Sequence, residues 1–352
     1  MSNTPRIRLS QKEYELIQSL RGDESENEER HSALKEYCDE NGIPFENVNY
    51  YWEKNERFSI NVKGDKAPTY FEIRDEIVKS MRSHAPTYKT INRSNISKEG
   101  HLFALDPADV HIGKIATSFE TGADYNQEIA VNRVLEGTEG LIGRASGYNI
   151  DKIAIIIGND ILHTDTPRRT TTSLTPQDTD GMWYENFLKA KRLYVDIIER
   201  LVHIADVHVI FNPSNHDYMS GFFLADSISS WFSNCKNVTF DVSISHRKYF
   251  RYYNNLIGSC HGDGAKEADL PLLMAHEAGM DWSACKHKYF YTHHLHHNRS
   301  KDHMGVNVTV LRSPSQADSW HHRNGYDHAP RAIEAFLHHK EYGRSATLSH
   351  IF

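Results

Sequence analysis

The pattern of apolar and polar positions changes near residue 100 of the chain. Before that point, apolar residues recur at helical spacing in short stretches. Residues 9–21 predict a helix, and residues 31–55 predict a helix, an Asn-Gly-Ile-Pro turn and a second short helix. Residues 71–81 predict a third helix, and residues 84–100 resemble a linker. We therefore expect residues 1–83 to form a small, mostly helical accessory region.

From residue 101 onward, short apolar segments of strand length alternate with helical patterns. β-branched or aromatic runs with polar ends occupy residues 101–110, 152–160, 207–217, 255–263 and 289–297, and helical patterns cover Asn126–Ile142 and Trp183–Ile204. Such alternation predicts an α/β fold in which ligands bind beyond the carboxyl ends of the strands. We expect residues 101–352 to form the second and larger domain, with a candidate ligand site at those polar ends.

Composition excludes several classes of protein. With 352 residues, of which 39% are hydrophobic and 25% charged, the chain can bury a sizeable core. No apolar run reaches the roughly 18 residues of a membrane span, and the N-terminus has no apolar signal segment. We therefore expect a cytoplasmic protein with no membrane partner. The four cysteines form no CxxC pair, so neither a disulfide framework nor a thiolate metal site is indicated.

The outline of residues 31–55, helix, turn and helix, is compatible with a DNA or protein partner for the N-terminal region. Two ordinary packed helices are the favoured alternative, because the region is net acidic and a phosphate-binding face should be basic. The formal charge of −7 also argues against broad wrapping of duplex DNA and for a short strand, an end or a small nucleotide.

Histidine is unusually frequent: the chain has 23, of which 18 lie beyond residue 200. Imidazole is a common metal ligand and a common general acid or base near neutral pH. Histidines, acids and an amide stand together at the five predicted strand ends, in Asp109-Val110-His111, Gly158-Asn159-Asp160 with His163, Asn215-His216-Asp217, His261-Gly262-Asp263 and His293-His294-Leu295-His296.

In this order, the five segments resemble the motifs of the calcineurin-like metallophosphoesterases, D-x-H, G-D-x-x-(D/H), G-N-H-(D/E), H and G-H-x-H. The resemblance covers roughly residues 101–312. It implies a metallophosphoesterase-type β-sandwich flanked by helices (αββα). The site is similar to that of the DNA-repair exonuclease branch, and the overall arrangement resembles metallophosphoesterases encoded by phages and prophages. A bacterial or phage-infected cell is the setting that this implies.

The resemblance also implies two divalent metal ions. One would be held by Asp109, His111, Asp160 and His296, and the other by Asp160, Asn215, His261 and His294. Two ions about 3.5–4 Å apart can orient a phosphate, stabilise charge on its oxygens and convert a bound water to hydroxide. Mn²⁺ is the favoured metal for His, Asn and Asp ligands, with Fe, Zn and Ni as alternatives.

Three further roles follow from the resemblance. His216 would be the catalytic histidine that is not a ligand, and it would stabilise the transition state or protonate the leaving oxygen. Asp217 would orient the ring of His216 and favour its cationic form. His163 would assist diester cleavage, because phosphatase members often carry Asp or Asn at that place.

Three residues depart from the motifs. Asn159 separates Asp160 from its glycine and could intrude on the site. Ser214 and His293 stand where the motifs have glycine, so we expect a changed backbone conformation at both. None of the three departures removes a ligand.

The polar loop 164–183 begins at the site and is typical of a lid or binding loop. Arg168 and Arg169 are candidates for contact with a substrate phosphate, and a solvated loop is the alternative. Trp320 and Tyr326 are candidates for base stacking, although a packed C-terminal segment is favoured. Other histidines are expected at the surface or beside site residues, namely His297, His321, His322, His338 and His339.

The sequence therefore predicts a two-metal phosphodiesterase that cleaves DNA, RNA or a nucleotide by in-line attack of a metal-bound hydroxide. One alternative is a phosphomonoesterase acting on a protein or a small molecule. The other is a non-catalytic binding protein with a vestigial metal site and N-terminal helices that bind a partner. Whether the chain forms a homodimer stays open.

Overall fold

The structure is a computed structural model that describes residues 24–54, 57–62, 79, 85–93 and 98–352. The chain divides into two compact units, Met1–Ile77 and Val78–Phe352. No helix within the described ranges is both long and apolar enough to cross a membrane.

Among its described residues, the first unit contains one α-helix, one short 3₁₀ helix and one pair of antiparallel strands. Helix α1 (Glu24–Glu40) is followed by a turn and a short 3₁₀ helix (Phe45–Asn47). Strands β1 (Val48–Lys54) and β2 (Arg57–Val62) then pair antiparallel. The predicted second short helix is therefore wrong, because aromatic and β-branched residues favour strands and a partner strand follows directly.

The sequence predicts two other helices in the N-terminal region. The predicted helix over residues 9–21 lies outside the described residues. So does the one over residues 71–81, except for Lys79.

Residues 85–93, in the segment predicted as a linker, have no regular secondary structure and pack on the rest of the second unit. The ring of Tyr88 stacks on Phe232 with centroids 5.4 Å apart, and its hydroxyl donates a hydrogen bond of 2.6 Å to Glu199 Oε1. The segment that precedes the first strand of the second unit thus packs against that unit.

The second unit alternates strands and helices. Its strands are β3 (Gly100–Asp106), β4 (Asn149–Gly158), β5 (Asp206–Asn212), β6 (Val238–Asp241), β7 (Lys248–Tyr252), β8 (Asn255–Ser259), β9 (His287–Thr292), β10 (Arg299–His303), β11 (Val306–Val310), β12 (Ala332–His339) and β13 (Gly343–Ile351). Its described α-helices are α2 (Ser118–Thr121), α3 (Gln127–Arg144), α4 (Trp183–Ile204), α5 (Tyr218–Trp231), α6 (Leu270–Glu277), α7 (Gly279–Ala284) and α8 (Ser319–Arg323). The five predicted strands and two predicted helices correspond to β3, β4, β5, β8, β9, α3 and α4.

The strands form two sheets. The first has the order β13-β12-β3-β4-β5-β6, in which β3 to β6 are parallel and β12 is antiparallel to both of its neighbours. The second has the order β10-β11-β9-β8-β7, with three parallel strands in the centre and an antiparallel strand at each edge.

The two sheets pack face to face, and helices cover their outer faces. Leu102 and Ile156 of the first sheet and Ile257 and Tyr291 of the second belong to the apolar cluster between the sheets. The opposite face of β3 and β4 packs on α3, α4 and α5, and α6 packs on the second sheet. Burial on both faces explains the unbroken apolar run of β4. The predicted αββα sandwich is confirmed.

Candidate metal centre

The carboxyl ends of five strands meet at one edge of the sandwich. In the first sheet, β3, β4 and β5 are parallel neighbours, and Asp109, Asp160 and Asn215 follow them. In the second sheet, β8 and β9 are parallel neighbours, followed by His261 and His294. The ends of parallel neighbours lie side by side. The two sheets also meet there, since His261 Nε2 lies 3.2 Å from Asp160 Oδ2.

Left-handed backbone conformation is concentrated in the loops that follow these strands. It occurs, with φ between 50° and 69°, at Asp109, His111, Asn159, Asp160, His294 and His296. Residues other than glycine adopt this region rarely, at a cost of about 1–3 kcal/mol each, and such strain clusters at functional sites. Five of the six are predicted metal ligands, so the strain coincides with the predicted site.

Backbone contacts hold these loops in place. Asp109 N donates a hydrogen bond of 2.8 Å to Asn159 O, which joins the loop after β3 to the loop after β4. At the start of the second loop, Gly158 has a φ of 87°, and a Cβ atom there would lie 2.0 Å from Asn212 O. Glycine is therefore required at this position by the close approach of β5.

The first group of donor atoms comes from Asp109, His111 and His296, whose ligand atoms lie within 4.8 Å of one another. His296 Nε2 lies 3.4 Å from His111 Nε2 and 3.4 Å from Asp109 Oδ1. Asp160 Oδ2 lies 3.9 Å from His111 Nε2. All four ligands predicted for the first metal thus border one space.

The second group comes from Asp160, His261 and His294, whose ligand atoms also lie within 4.8 Å of one another. Asn215 Oδ1 lies 2.8 Å from His261 Nε2 and joins the group. The four ligands predicted for the second metal are therefore together as well. Asp160 adjoins both groups, which is the position that a bridging carboxylate needs.

A third group consists of imidazoles alone. Nitrogen atoms of His111, His163 and His216 lie within 4.8 Å of one another. The rings of His163 and His216 are stacked, with centroids 5.2 Å and planes 18° apart. His216 Nδ1 lies 3.0 Å from His163 O. A carbonyl oxygen only accepts hydrogen bonds, so this Nδ1 carries a proton and His216 Nε2 is left for another partner.

Burial keeps most of these imidazoles neutral. It lowers the pKa of His111 and His163 well below the usual value, with help from nearby positive charge that includes Lys114. Burial also lowers the pKa of His294 and His296. Neutral imidazole is the form that binds a metal ion.

The two carboxylates stay ionised. Burial opposes this, but His296 beside Asp109, and His261 beside Asp160, hold the pKa of each carboxyl below its usual range. Asp160 in turn outweighs the burial of His261 and raises the pKa of that imidazole to about 9. Two carboxylates, four imidazoles and one amide oxygen, without a thiolate, form a donor set that fits divalent ions such as Mn²⁺, Fe²⁺, Zn²⁺ or Ni²⁺.

Asp217 does not orient the ring of His216, so that prediction is wrong. Its carboxylate accepts hydrogen bonds from Leu162 N at 2.9 Å and from Ser214 Oγ at 2.6 Å instead. Burial above all raises the pKa of Asp217 to about 7. The reason is geometric: Asp217 directly precedes α5 and is fully buried, whereas His216 lines the cleft.

The two replaced glycines have contacts of their own. Ser214 Oγ accepts a hydrogen bond of 2.7 Å from Asp160 N. His293 is fully buried, donates from Nδ1 to Cys260 O at 2.9 Å and places Nε2 3.0 Å from Asp106 Oδ2. Neither Ser214 nor His293 has a positive φ, so neither adopts the left-handed conformation that favours glycine. Both side chains instead support the loops that carry the donors.

Three residues outside the motifs also support the centre, and the sequence motifs do not identify them. Lys114 is buried, and its Nζ lies 3.2 Å from Asp318 Oδ2. Asp318 Oδ1 lies 2.7 Å from His321 Nδ1, and the ring of His321 stacks on His296 with centroids 5.3 Å and planes 11° apart. The sequence contains only a weak signal for this group: Asp318 stands directly before a short helix, where aspartate is a typical N-cap residue.

The donor cluster opens into a cleft of about 1150 Å³. Its walls include parts of the polar loop within residues 171–179 and of the C-terminal segment within residues 318–329. Arg169 lines the cleft, whereas Arg168 and Asn159 do not. The loop predicted to bind substrate thus forms one wall, and only one of its two arginines faces the site.

No family model matches the chain, and no curated protein sequence matches it significantly. Solved structures do match. An archaeal phosphodiesterase has 9% identity over 72% of this chain and 99% of its own, with a TM-score of 0.34. Vps29 from Entamoeba histolytica, in complex with Zn²⁺, has 12% identity over 71% and 98%, with a TM-score of 0.31. A predicted phosphoesterase from Streptococcus pneumoniae has 10% identity over 73% and 100%, with a TM-score of 0.29.

These identities and TM-scores are too low to transfer a function, so the assignment depends on the residues of this chain. An αββα sandwich with carboxylate, imidazole and amide donors at its strand ends defines a candidate centre for divalent metal ions.

Proposed function

We propose that this protein is a metal-dependent phosphodiesterase that hydrolyses phosphodiester bonds of nucleic acid or of a nucleotide. The main support is the convergence of two donor groups on the shared carboxylate of Asp160, beside the stacked rings of His163 and His216. We assign the donors to two divalent ions, with Mn²⁺ favoured and Fe, Zn or Ni as alternatives. Both imidazoles border the same space, so a phosphate bound there is within their reach.

His216 is the proposed proton donor. When bound, divalent ions neutralise charge on a phosphoryl group and increase the acidity of water. The Nδ1 proton of His216 is committed to His163 O at 3.0 Å. A second proton on Nε2 can therefore pass to the leaving oxygen, after which Nε2 regains a proton from solvent.

His163 is the proposed neutral hydrogen-bond donor to the phosphate. Its Nδ1 lies 3.4 Å from Nδ1 of His111. His111 directs Nε2 to the donor cluster and so carries its proton on Nδ1. His163 then accepts at Nδ1 and keeps its own proton on Nε2. Because burial holds the pKa of His163 well below its usual value, this neutral form persists at neutral pH.

The cleft favours a diester over a monoester. A phosphomonoester carries one organic group, whereas a diester needs room for two. The cleft extends from the donor cluster along both the polar loop and the C-terminal segment, and its volume of about 1150 Å³ is large for a ligand pocket. Groups on both sides of a phosphorus atom can therefore be accommodated.

The test compares diesters with a monoester on purified protein supplied with Mn²⁺. We expect hydrolysis of bis(p-nitrophenyl) phosphate and of single-stranded DNA to exceed that of p-nitrophenyl phosphate. His163→Ala should lower diester turnover by about a hundredfold and monoester turnover by much less. His203→Ala is the matched control, because His203 is exposed on α4.

Three results would contradict the proposal. If the protein cleaves only the monoester, or if His163→Ala reduces both activities equally, the phosphomonoesterase alternative is favoured. If the protein is inert with Mn²⁺ and binds no divalent ion, the non-catalytic alternative is favoured.

A further inference from the structure

Two large aromatic side chains stand exposed at the cleft. Trp320 is 61% exposed and Tyr326 is 62% exposed, and both line the cleft. Their rings are stacked, with centroids 5.6 Å and planes 29° apart. The favoured sequence alternative, a packed C-terminal segment, is therefore wrong for these two residues. When a flat apolar group covers paired aromatic faces, apolar surface is removed from water, which favours binding.

A short helix and a tight turn hold this pair. Asp318 caps α8 by accepting a hydrogen bond of 3.0 Å from His321 N. After the helix, Gly325 adopts a φ of 77°, which reverses the chain. Tyr326 N then donates a hydrogen bond of 2.9 Å to His321 O. The reversal brings Tyr326 back onto Trp320.

The pair is connected to the donor cluster by a series of ring contacts. The ring of Trp320 meets the ring of His321 edge to face, with centroids 5.1 Å apart. His321 stacks in turn on His296, a predicted metal ligand, with centroids 5.3 Å apart. The ion pair between buried Lys114 and partly buried Asp318 holds the start of this helix. The exposed rings are thus held at a set distance from the donors.

We infer that Trp320 and Tyr326 form a base-stacking platform, which binds the nucleobase of the nucleotide whose phosphodiester lies at the donor cluster. This inference rests on the proposed function, because it is the phosphate at the donors that brings a base to the platform. Every nucleobase presents a flat π face that stacks on aromatic side chains. A flat ring joined through a sugar to a phosphodiester is the chemistry that matches an aromatic pair beside a phosphate site.

The charge around the cleft favours an unpaired base over a duplex. The chain has a formal charge of −7, and the cleft walls include Glu120 and Asp178 as well as Arg169. Binding along a long stretch of phosphate backbone depends on many positively charged side chains. In this cleft, stacking therefore has to supply much of the affinity. In a duplex, the base faces are already stacked on their neighbours. The platform therefore selects a single strand, a frayed end or a free nucleotide.

The experiment is a binding cycle that removes the tryptophan ring, the base or both. It uses the full chain with His216→Ala to prevent turnover, Mn²⁺ in the buffer, and fluorescence anisotropy of a labelled thymidine tetranucleotide and of its fully abasic analogue. Trp320→Ala should weaken binding of the thymidine strand by about tenfold. The abasic strand should bind more weakly than the thymidine strand, and Trp320→Ala should not weaken it further.

Two further variants separate stacking from general damage. Trp320→Phe keeps a flat ring and should stay within about threefold of the tryptophan protein. Trp183→Ala should leave binding unchanged, because Trp183 is 48% exposed but does not line the cleft.

The inference is overturned if Trp320→Ala binds the thymidine strand as tightly as its parent. It is also overturned if the variant weakens both strands equally, because the ring would then contact the sugar-phosphate backbone. These outcomes are distinct from failure of the proposed function, which is measured on the protein with His216 intact. If that protein hydrolyses bis(p-nitrophenyl) phosphate while the cycle shows no coupling, the phosphodiesterase stands and the platform does not.

Discussion

At the centre of the cleft, Asp109, Asp160 and His261 are each no more than 1% exposed, whereas Trp320 and Tyr326 on its rim are 61% and 62% exposed. The central residues lie in strained loops that follow neighbouring strands of two packed sheets. The rim consists of the short helix α8, the tight turn after it and the polar loop 164–183. This difference separates two tasks. In the proposed function, the donors at the sheet edge would supply the chemistry and the side chains of the rim would hold the substrate.

The largest expected effect comes from the carboxylate that adjoins both donor groups. Asp160→Asn removes a charge that contacts His261 at 3.2 Å and lies 3.9 Å from His111. We expect diester hydrolysis to fall by at least about a thousandfold, because metal ions contribute several kcal/mol of transition-state stabilisation. Metal content, measured by inductively coupled plasma mass spectrometry, should fall in parallel.

Asp263→Asn is the control for this substitution. Asp263 belongs to the same motif as His261, but it is exposed and is in none of the donor groups. It should retain activity and metal. If Asp160→Asn keeps its metal and most of its activity, the shared carboxylate is not part of the centre.

Next in size is the effect of the proposed proton donor. His216→Ala should lower kcat for diesters by about a hundredfold to ten-thousandfold, the usual contribution of general acid catalysis. Metal content should stay at the level of the parent, because His216 is assigned a proton rather than a metal. If this variant loses metal while His203→Ala keeps it, His216 is instead a metal ligand within the all-imidazole group.

A stability measurement sharpens the contrast between centre and rim. Asp106 and His293 form a fully buried pair, with Asp106 Oδ2 and His293 Nε2 3.0 Å apart. Asp106→Ala leaves a buried imidazole without its partner and should lower the free energy of unfolding by about 3–5 kcal/mol in urea denaturation.

The matched surface pair is Arg200 with Glu139, in which both side chains are 52% exposed. Glu139→Ala should cost no more than about 1 kcal/mol. A similar cost for the buried and the exposed pair would show that the loops of the centre do not depend on the support beneath them.

The smallest effect is expected on the loop of the rim. Arg169 lines the cleft and its neighbour Arg168 does not. Arg169→Ala should raise KM for a short DNA strand by about two- to fivefold, which is typical of an exposed charge, and the effect should shrink at high salt. Arg168→Ala should leave KM unchanged. Equal effects of the two variants would indicate attraction by net charge alone.

The parts of the molecule that the sequence predicts are those with local signals. A β-branched run that ends in a polar residue marks a strand end, and Asp109, Asp160 and Asn215 each follow such a run. Parallel order then requires these ends to meet, so the convergence of the donors follows from local patterns. The strands Val48–Lys54 and Arg57–Val62 have strand propensity too, but such short elements are easily mistaken for helix.

The features that the sequence did not predict depend on the direction of a side chain or on contacts between residues that are far apart in the chain. Whether Asp217 faces His216 depends on one backbone turn before α5, which residue spacing does not determine. The support of Lys114 by Asp318 joins segments far apart in the chain. His338 is buried rather than exposed because its strand, β12, lies between two others in the first sheet.

The central claim is that the strand-end donors bind divalent ions that enable phosphodiester hydrolysis. The most direct test is to remove metal from the purified chain with a chelator, restore Mn²⁺, and measure bound metal and bis(p-nitrophenyl) phosphate hydrolysis on the same sample. We predict about two ions per chain, and an activity that is lost on chelation and returns with Mn²⁺. A chain that binds no divalent ion, or whose diesterase activity survives complete removal of metal, would contradict the claim.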